Sequence, residues 1–167
     1  MPPLPVCLIA AFLSGAVLGA VANWAISTFA WAPRQVSAWS RSPADAPPRG
    51  WLDRIPICGW WRLRRELPWQ PPRFWVRPLV VEIAMAIGIA VLFWWEVDQQ
   101  GLVAEQLVRL PAAPRAALPV DTPVGPLVAT FVAHALMITF MVAASLVEID
   151  EKISPDAFSV IGGGRNR

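Results

Sequence analysis

Tyrosine is absent from this chain of 167 residues, only two cysteines occur, and charged residues make up just 16% of the sequence. Because soluble domains usually carry about a quarter charged residues, this shortage argues against a soluble enzyme or a solvated binding module. The two cysteines, Cys7 and Cys58, lie far apart, so they exclude a disulfide framework and supply too few ligands for a cysteine-based metal site. Apolar residues make up 56% of the chain, a composition typical of a membrane protein.

Three apolar runs are long enough to cross a bilayer, which takes about 20 mostly apolar residues in a helix. They occupy residues 6–30, 78–97 and 126–149, and we predict a transmembrane helix for each. The first run is long and lacks a basic start, so a retained helix is favoured over a signal peptide. Within it, Gly15 and Gly19 have the GxxxG spacing that lets helix backbones approach closely. The sequence leaves open whether they face helices of the same chain or a second copy in an oligomer.

The segments between these runs differ in charge. Residues 31–77 carry nine arginines against three acids, whereas residues 98–125 carry two arginines against three acids. Since basic residues are retained on the cytoplasmic side of a membrane, we predict that residues 31–77 form an Arg-rich cytoplasmic loop and residues 98–125 an external loop. The N-terminus then lies outside, and the third transmembrane helix ends at the cytoplasmic face.

The stretch SLVEIDEKISPD, residues 145–156, places acids directly after the third apolar run. Ser154 followed by Pro155 is a common helix start, since serine caps the first turn and proline fits its first position. We therefore predict a cytoplasmic turn and the start of a fourth helix within residues 150–167. A helix that starts so near Arg167 leads us to expect a truncated chain. The predicted fold is all-α: a multi-span membrane helix bundle with three transmembrane helices, the start of a fourth, and the Arg-rich loop.

Four stretches follow one another along the chain in a recognisable order. They are GAVLGAVANWAI, with small residues and Asn23; LDRIPICGWWRLRRE, with Asp-x-Ile-Pro and an Arg-rich turn; RPLVVE, ending in Glu82; and LVEIDEKISPD. Together they resemble the prepilin peptidase family, the membrane aspartic peptidases that process type IV pilin-like leader sequences. The resemblance covers nearly the whole chain, and it implies a multi-pass protein of a bacterial plasma (inner) membrane.

Members of that family use two aspartates, one at the end of a membrane helix and one in a later Gly-x-Gly-Asp motif. By distance from Pro155, Glu148 occupies the first position, whereas by residue type Asp150 fits better, so both are candidate catalytic residues. They cannot form the catalytic pair with each other on a regular helix, because residues two apart point about 200° apart. The Gly-x-Gly-Asp motif is absent from the sequence. The resemblance therefore implies an endopeptidase that is incomplete here; the alternative is a non-catalytic membrane protein of the same fold that binds pilin-like helices or assembly factors.

Polar residues inside the apolar runs are candidates for function, because they are costly in a bilayer. We predict Glu82 to be a supporting acid that buffers the catalytic site or binds an arginine of the loop; the alternatives are snorkelling to the interface or pairing with Arg77. His134 lies roughly 20 Å along a helix from Glu148, so it cannot join the acids there. We favour a neutral histidine bonded to a neighbouring helix, with Asn23 as the candidate partner, over a catalytic role.

Cofactors and partners follow from the same comparison of motifs. Many family members carry two Cys-x-x-Cys pairs in the cytoplasmic loop, but here Ser42 and Asp45 stand where the first pair would be, and no second pair exists. We therefore predict no zinc site, and we find no nucleotide-binding fingerprint and expect no cofactor. The resemblance implies a type IV prepilin-like substrate helix as partner, beside the lipid bilayer, whose anionic headgroups the loop arginines suit. Nucleic acid is not expected, since no binding fold accompanies the arginines.

Overall fold

The structure, a computed structural model, describes residues 3–29, 37–39, 42, 45–99, 101 and 124–162, and only the backbone at 124 and within 150–162. Its α-helices are α1 (Leu4–Phe29), α2 (Cys58–Leu63), α3 (Val76–Phe93) and α4 (Val124–Gly162), and a π-helical turn, Trp94–Asp98, continues α3. The described residues contain no strand. The predicted all-α class is therefore confirmed for this part of the chain.

Three helices are long and apolar enough to cross a membrane: Leu4–Phe29, Val76–Asp98 and Gly125–Ile149, with mean hydropathies of 2.3, 2.1 and 2.1. They coincide with the three predicted spans. Most of their side chains face outward, as expected of helices whose surface is covered by acyl chains. The orientation across the membrane stays a prediction, and almost all of the expected external loop, 98–125, lies outside the described residues.

Helix α1 packs along α3 through its small residues. A Cβ atom added at Gly15 would lie 2.7 Å from the Met85 carbonyl oxygen and 2.8 Å from Ala86 Cα. At Gly19 it would lie 2.8 Å from Glu82 Cα. Both glycines therefore face α3 of the same chain, and their missing side chains allow the two backbones to touch.

The second half of the Arg-rich loop is folded. Two single-turn 3₁₀ helices, Trp51–Arg54 and Arg64–Glu66, flank α2. Trp60 and Leu63 on α2 are buried and form an apolar cluster with Ala38. The cluster is covered by three residues around the start of α3: Phe74, Trp75 and Leu79. An apolar contact thus joins the loop to the second membrane span.

The buried acids of the loop are paired with its own arginines. Arg49 donates two hydrogen bonds to Glu66, at 2.8 and 2.6 Å, and both side chains are buried. Asp53 accepts from Arg62 at 3.1 Å and from Arg65 at 2.6 Å. Arg49, Arg62 and Arg65 therefore hold the loop's own fold together.

Asp53 organises the first turn of the folded loop. Its Oδ2 also accepts a 2.8 Å hydrogen bond from the Gly50 N–H, which closes the turn before Trp51. Burial by itself raises the pKa of Asp53, but the Gly50 N–H and the positive charges of Arg62 and Arg65 lower it by more. The pKa of this carboxyl therefore lies below its ordinary value of 3.8.

Helix α4 does not end where the sequence predicted. Its backbone is helical without a break from Val124 to Gly162, whereas we expected a turn after residue 149 and a separate fourth helix starting near Ser154. Pro155 therefore lies inside a helix, where it lacks the N–H that would bond the Glu151 carbonyl. A helix-start signal of this kind is overridden when the chain on both sides is already helical, since proline often kinks a helix without ending it.

Candidate functional site

Glu82 is the buried acid at the centre of the candidate site. It lies six residues into α3, roughly 9 Å from the first residue of the helix, and it is 2% exposed. A snorkelling side chain would reach the surface, so that alternative is contradicted. Burial of a carboxylate is tolerated only where hydrogen bonds replace its water.

Three neutral donors supply those hydrogen bonds. Oε1 accepts from Trp60 Nε1 at 2.8 Å and from Asn23 Nδ2 at 3.2 Å, and Oε2 accepts from the Ile57 N–H at 2.5 Å. Asn23 Nδ2 also donates to the Pro78 carbonyl at 3.0 Å. We call Glu82 with Asn23, Ile57 and Trp60 the Glu82 cluster. It joins α1, the folded loop and α3 at one point.

The loop reaches Glu82 through a strained turn. Ile57 adopts φ 64° and ψ −60°, a left-handed conformation that is a true outlier for a β-branched residue. The Cys58 N–H donates to the Pro56 carbonyl at 2.7 Å, which closes a γ-turn of the rare hand. Such a conformation costs about 1–3 kcal/mol and persists where its surroundings hold it. Here the turn points the Ile57 N–H at the carboxylate, so the strain serves the cluster.

Two predicted partnerships are wrong. We expected Asn23 to bond His134, but it bonds Glu82, because Asn23 and His134 lie near opposite ends of the bundle. We also weighed an ion pair between Glu82 and an arginine, Arg77 in particular. The partners of Glu82 among the described residues are the three neutral donors, and Arg77 Nη2 donates to the Leu146 carbonyl at 3.3 Å.

The candidate catalytic residues lie at the far end of the third span. Glu148 is an exposed residue of α4, and Asp150 is helical in backbone while its side chain lies outside the described part of the structure. The hydrogen bond from Arg77 to Leu146 ties the start of α3 to α4 two residues before Glu148. The acids of α4 and the Glu82 cluster are therefore at the same end of the bundle.

A cavity of about 490 Å³ opens beside the Glu82 cluster, between the end of α1, the folded loop and the start of α3. Its size is that of small-molecule sites. Glu82, Asn23 and Trp60 form part of its wall. Other polar or aromatic lining residues are Trp24, Ser27, Ser37, Trp39, Arg54, Gln70, Arg73, Phe74 and Arg77. In the part of the chain that the structure describes, the opening is therefore basic and aromatic, and its single acid is already bonded.

A second opening is an apolar groove of about 830 Å³ between α3 and α4. On the α4 side it is lined by Ile138, Met141, Val142, Ser145 and Leu146. Ser145 is the one hydroxyl-bearing residue among the described residues that line it. An apolar groove of this shape between two spans suits a further apolar helix.

A second buried acid, Glu96, lies at the opposite end of α3, in its π-helical turn. It is 3% exposed, and its Oε1 lies 2.5 Å from His134 Nδ1. The prediction that His134 is bonded to a neighbouring helix is confirmed, with Glu96 as the partner. Within the described part of the chain, Glu96 Oε2 has no hydrogen-bond partner. The sequence reading passed over Glu96, although an acid within an apolar run is itself a signal.

Sequence reasoning found Glu82 but missed two of its donors, Trp60 and the Ile57 N–H. A proline before Ile57 signals a turn, yet nothing in the sequence says which N–H meets the carboxylate. For metals, no three His, Cys, Asp or Glu side chains lie together among the described residues.

No match is found for this chain among protein-family models, curated proteins or solved structures. The resemblance to the prepilin peptidases therefore depends on the four sequence stretches alone.

Proposed function

We propose that this chain is a prepilin-peptidase-like membrane protein that receives the leader segment and apolar helix of a type IV pilin-like substrate. One observation supports this most. Three of the four stretches that carry the resemblance meet in the Glu82 cluster: the first through Asn23, the second through Ile57 and Trp60, and the third through Glu82 itself. The fourth is joined to the same end by the hydrogen bond from Arg77 to Leu146. Hydrogen bonds thus link four stretches that are far apart in the sequence.

In this proposal the acids of α4 carry the peptidase chemistry. Aspartyl proteolysis needs one carboxylate as the base for water and a second, protonated, to polarise the scissile carbonyl. Glu148 or Asp150 is the first of these, and a Gly-x-Gly-Asp aspartate, which the 167 residues do not contain, is the second. Glu82 is a positioning residue, because both of its oxygens already accept hydrogen bonds from its own chain.

The apolar groove between α3 and α4 is the proposed seat of the substrate helix. A substrate of this class has a short cytoplasmic leader followed by an apolar helix. A helix in the groove would bury apolar surface along the two spans and bring its leader towards the acids at the end of α4. The inner plasma membrane and a cytoplasmic loop belong to the same proposal.

A photo-crosslinking experiment tests the substrate seat. Crosslinkers are placed at Ile138, which lines the groove, and at Phe140, which is 74% exposed and does not line it. The two positions point about 200° apart on one helix. A co-expressed pilin-like substrate should crosslink at Ile138 and not at Phe140. Equal crosslinking at both positions, or none at either, would contradict the seat.

A cleavage experiment tests the peptidase chemistry. The chain alone should leave the leader uncut, and the same chain extended through a Gly-x-Gly-Asp segment should cut it. Glu148→Ala or Asp150→Ala, whichever removes the working carboxylate, should abolish that cleavage.

The non-catalytic binder is the second candidate, and it is favoured by the glutamate at position 148, where the family has an aspartate, and by the missing cysteine pairs of the loop. It predicts groove crosslinking with no cleavage even in the extended chain. Loss of crosslinking would contradict both candidates.

A further inference from the structure

The cavity beside the Glu82 cluster has an excess of positive charge that the proposed function does not use. Arg54, Arg73 and Arg77 line it, and Glu82, the one acid among its described lining residues, is bonded to neutral donors. Arg54 and Arg73 are exposed and pair with no carboxylate among the described residues. By contrast, acids of the loop form ion pairs with Arg49, Arg62 and Arg65. The cavity is therefore suited to an anion.

The backbone conformation of Arg73 also supports an anion site in the cavity. Its φ of 65° places a residue with a long side chain in the left-handed region, which is uncommon for anything but glycine, asparagine or aspartate. Strain of this kind concentrates at ligand clamps and functional sites. The guanidinium carbon of Arg54 lies 5.4 Å from the centre of the Trp39 ring, within the range of a cation–π contact.

An apolar groove of about 470 Å³ continues from the cavity along the outer side of α1. It shares Ala20, Trp24, Trp39 and Arg54 with the cavity and adds three apolar residues: Val17, Val21 and Pro56. From Trp24 to Val17 it extends roughly 10 Å along the helix into the membrane span. A basic cavity that runs into a lipid-facing apolar groove has the shape of an amphiphile.

We propose that the cavity and groove bind one anionic phospholipid, with its phosphate near Arg54 and Arg73 and one acyl chain along Val17 and Val21. The end of a membrane span is where headgroups lie, and tryptophans such as Trp24 favour that depth. Anionic lipids are concentrated in the cytoplasmic leaflet, where the proposed topology puts this cavity. A free phosphate has no apolar part that could occupy the groove. Binding of this lipid needs no substrate, so its failure is separable from failure of the proposed function.

The test measures lipid binding by the purified full chain in a neutral detergent. Energy transfer from its tryptophans to a fluorescent phosphatidylglycerol reports the binding. Phosphatidylglycerol should bind at least about tenfold more tightly than phosphatidylcholine with the same chains, from its contacts with two arginines. The double variant Arg54→Gln, Arg73→Gln should remove that preference and leave phosphatidylcholine binding unchanged. Equal binding of the two lipids by the wild type would overturn the proposal.

Arg64→Gln is the matched control. Arg64 is stacked between Trp61 and Trp75, at 4.6 and 4.7 Å from the ring centres, and it does not line the cavity. Because Arg64 lies outside the lining, its replacement should change phosphatidylglycerol binding by less than about twofold, although it removes one positive charge from the same loop, as each half of the double variant does. A loss as large as that of the double variant would mean that net charge, and not the cavity, attracts the lipid, and would overturn the site.

Two further arms separate the possible sources of the anion. Inorganic phosphate at millimolar concentration should fail to displace phosphatidylglycerol; full displacement would identify a free phosphate site instead. Val17→Trp, which fills the groove, should weaken phosphatidylglycerol binding about tenfold, whereas Val132→Trp on α4 should not. If the double arginine variant does not fold, the wild-type lipid preference and the Val17→Trp result decide the proposal. If a leader peptide displaces the lipid and binds in its place, the cavity is a substrate site and the lipid proposal is overturned.

Discussion

At the scale of single residues, one carboxylate on α3 accepts hydrogen bonds from two other parts of the chain, α1 and the folded loop. Glu82 accepts hydrogen bonds from α1, from the loop backbone and from a loop tryptophan. The sequence predicted that Glu82 matters, because an acid inside an apolar run is costly. It could not predict the donors, because their positions depend on how far α1 is rotated and on a strained turn at Ile57.

The first prediction concerns removal of this carboxylate. Glu82→Ala leaves the buried Trp60 N–H without an acceptor and takes one acceptor each from the partly buried Ile57 N–H and Asn23, which keeps the Pro78 carbonyl. We therefore expect a loss of about 2–3 kcal/mol in the free energy of unfolding. Glu82→Gln keeps one oxygen acceptor and should lose less. Thermal unfolding of the purified variants in detergent measures both. If the two substitutions destabilise equally little, the cluster does not hold the loop on the bundle.

The second prediction concerns pH. The pKa of Asp53 is lowered in the folded loop, so its contribution to stability is complete above the ordinary value of 3.8 and is lost as the pH falls through the lower folded pKa. Hydrogen-exchange protection of residues 50–66 should therefore fall in strongly acidic buffer. Asp53→Asn should show weaker protection at neutral pH and a flatter acid dependence. An identical acid profile in the two proteins would rule out Asp53 as the titrating group.

The third prediction concerns the pair at the other end of the bundle. His134→Leu leaves Glu96 buried with neither oxygen bonded, a change that typically costs about 3 kcal/mol. The double variant Glu96→Leu, His134→Leu removes both polar groups and should recover most of that loss. Unfolding midpoints of the single and double variants measure the effect. Additive losses in the double variant would show that the two residues act independently.

At the scale of elements, apolar runs predicted the three spans well, because a bilayer imposes length and composition on any helix that crosses it. The loop was predicted less well. The nine arginines predicted a basic surface. Their number does not reveal that some of them pair with the buried acids Asp53 and Glu66. Helix α4 was predicted to break near Ser154, where a local start signal proved weaker than the continuing helix.

The fourth prediction concerns the contact between α1 and α3. Gly15→Ala would force its Cβ to within 2.8 Å of backbone atoms of α3, so the helices must move apart and the variant should be destabilised by about 1–3 kcal/mol. Gly88→Ala is the matched control, because a Cβ there meets nothing within 4 Å. It should be neutral or slightly stabilising, since alanine favours a helix. Equal effects at the two positions would contradict close packing at Gly15.

At the scale of the whole molecule, the two ends of the helix bundle carry different functional groups. One end of the bundle carries the folded basic loop, the Glu82 cluster, the cavity and the acids of α4, and the other carries Glu96 and His134. Charge in the sequence predicted that the basic loop and the acids of α4 share one end, but it did not predict the pairing of Glu96 with His134 at the other. Which end faces the cytoplasm is argued from the arginine count and is open to direct measurement.

Labelling of Glu148→Cys with a membrane-impermeant thiol reagent, in a chain whose Cys7 and Cys58 are replaced by alanine, tests the central claim. Native Cys58 is exposed and, in a chain that retains it as the sole cysteine, marks the side of the loop. The account predicts that both positions react in inside-out vesicles and that neither reacts in intact spheroplasts. Reaction of position 148 from the outside, or on the side opposite to Cys58, would contradict it.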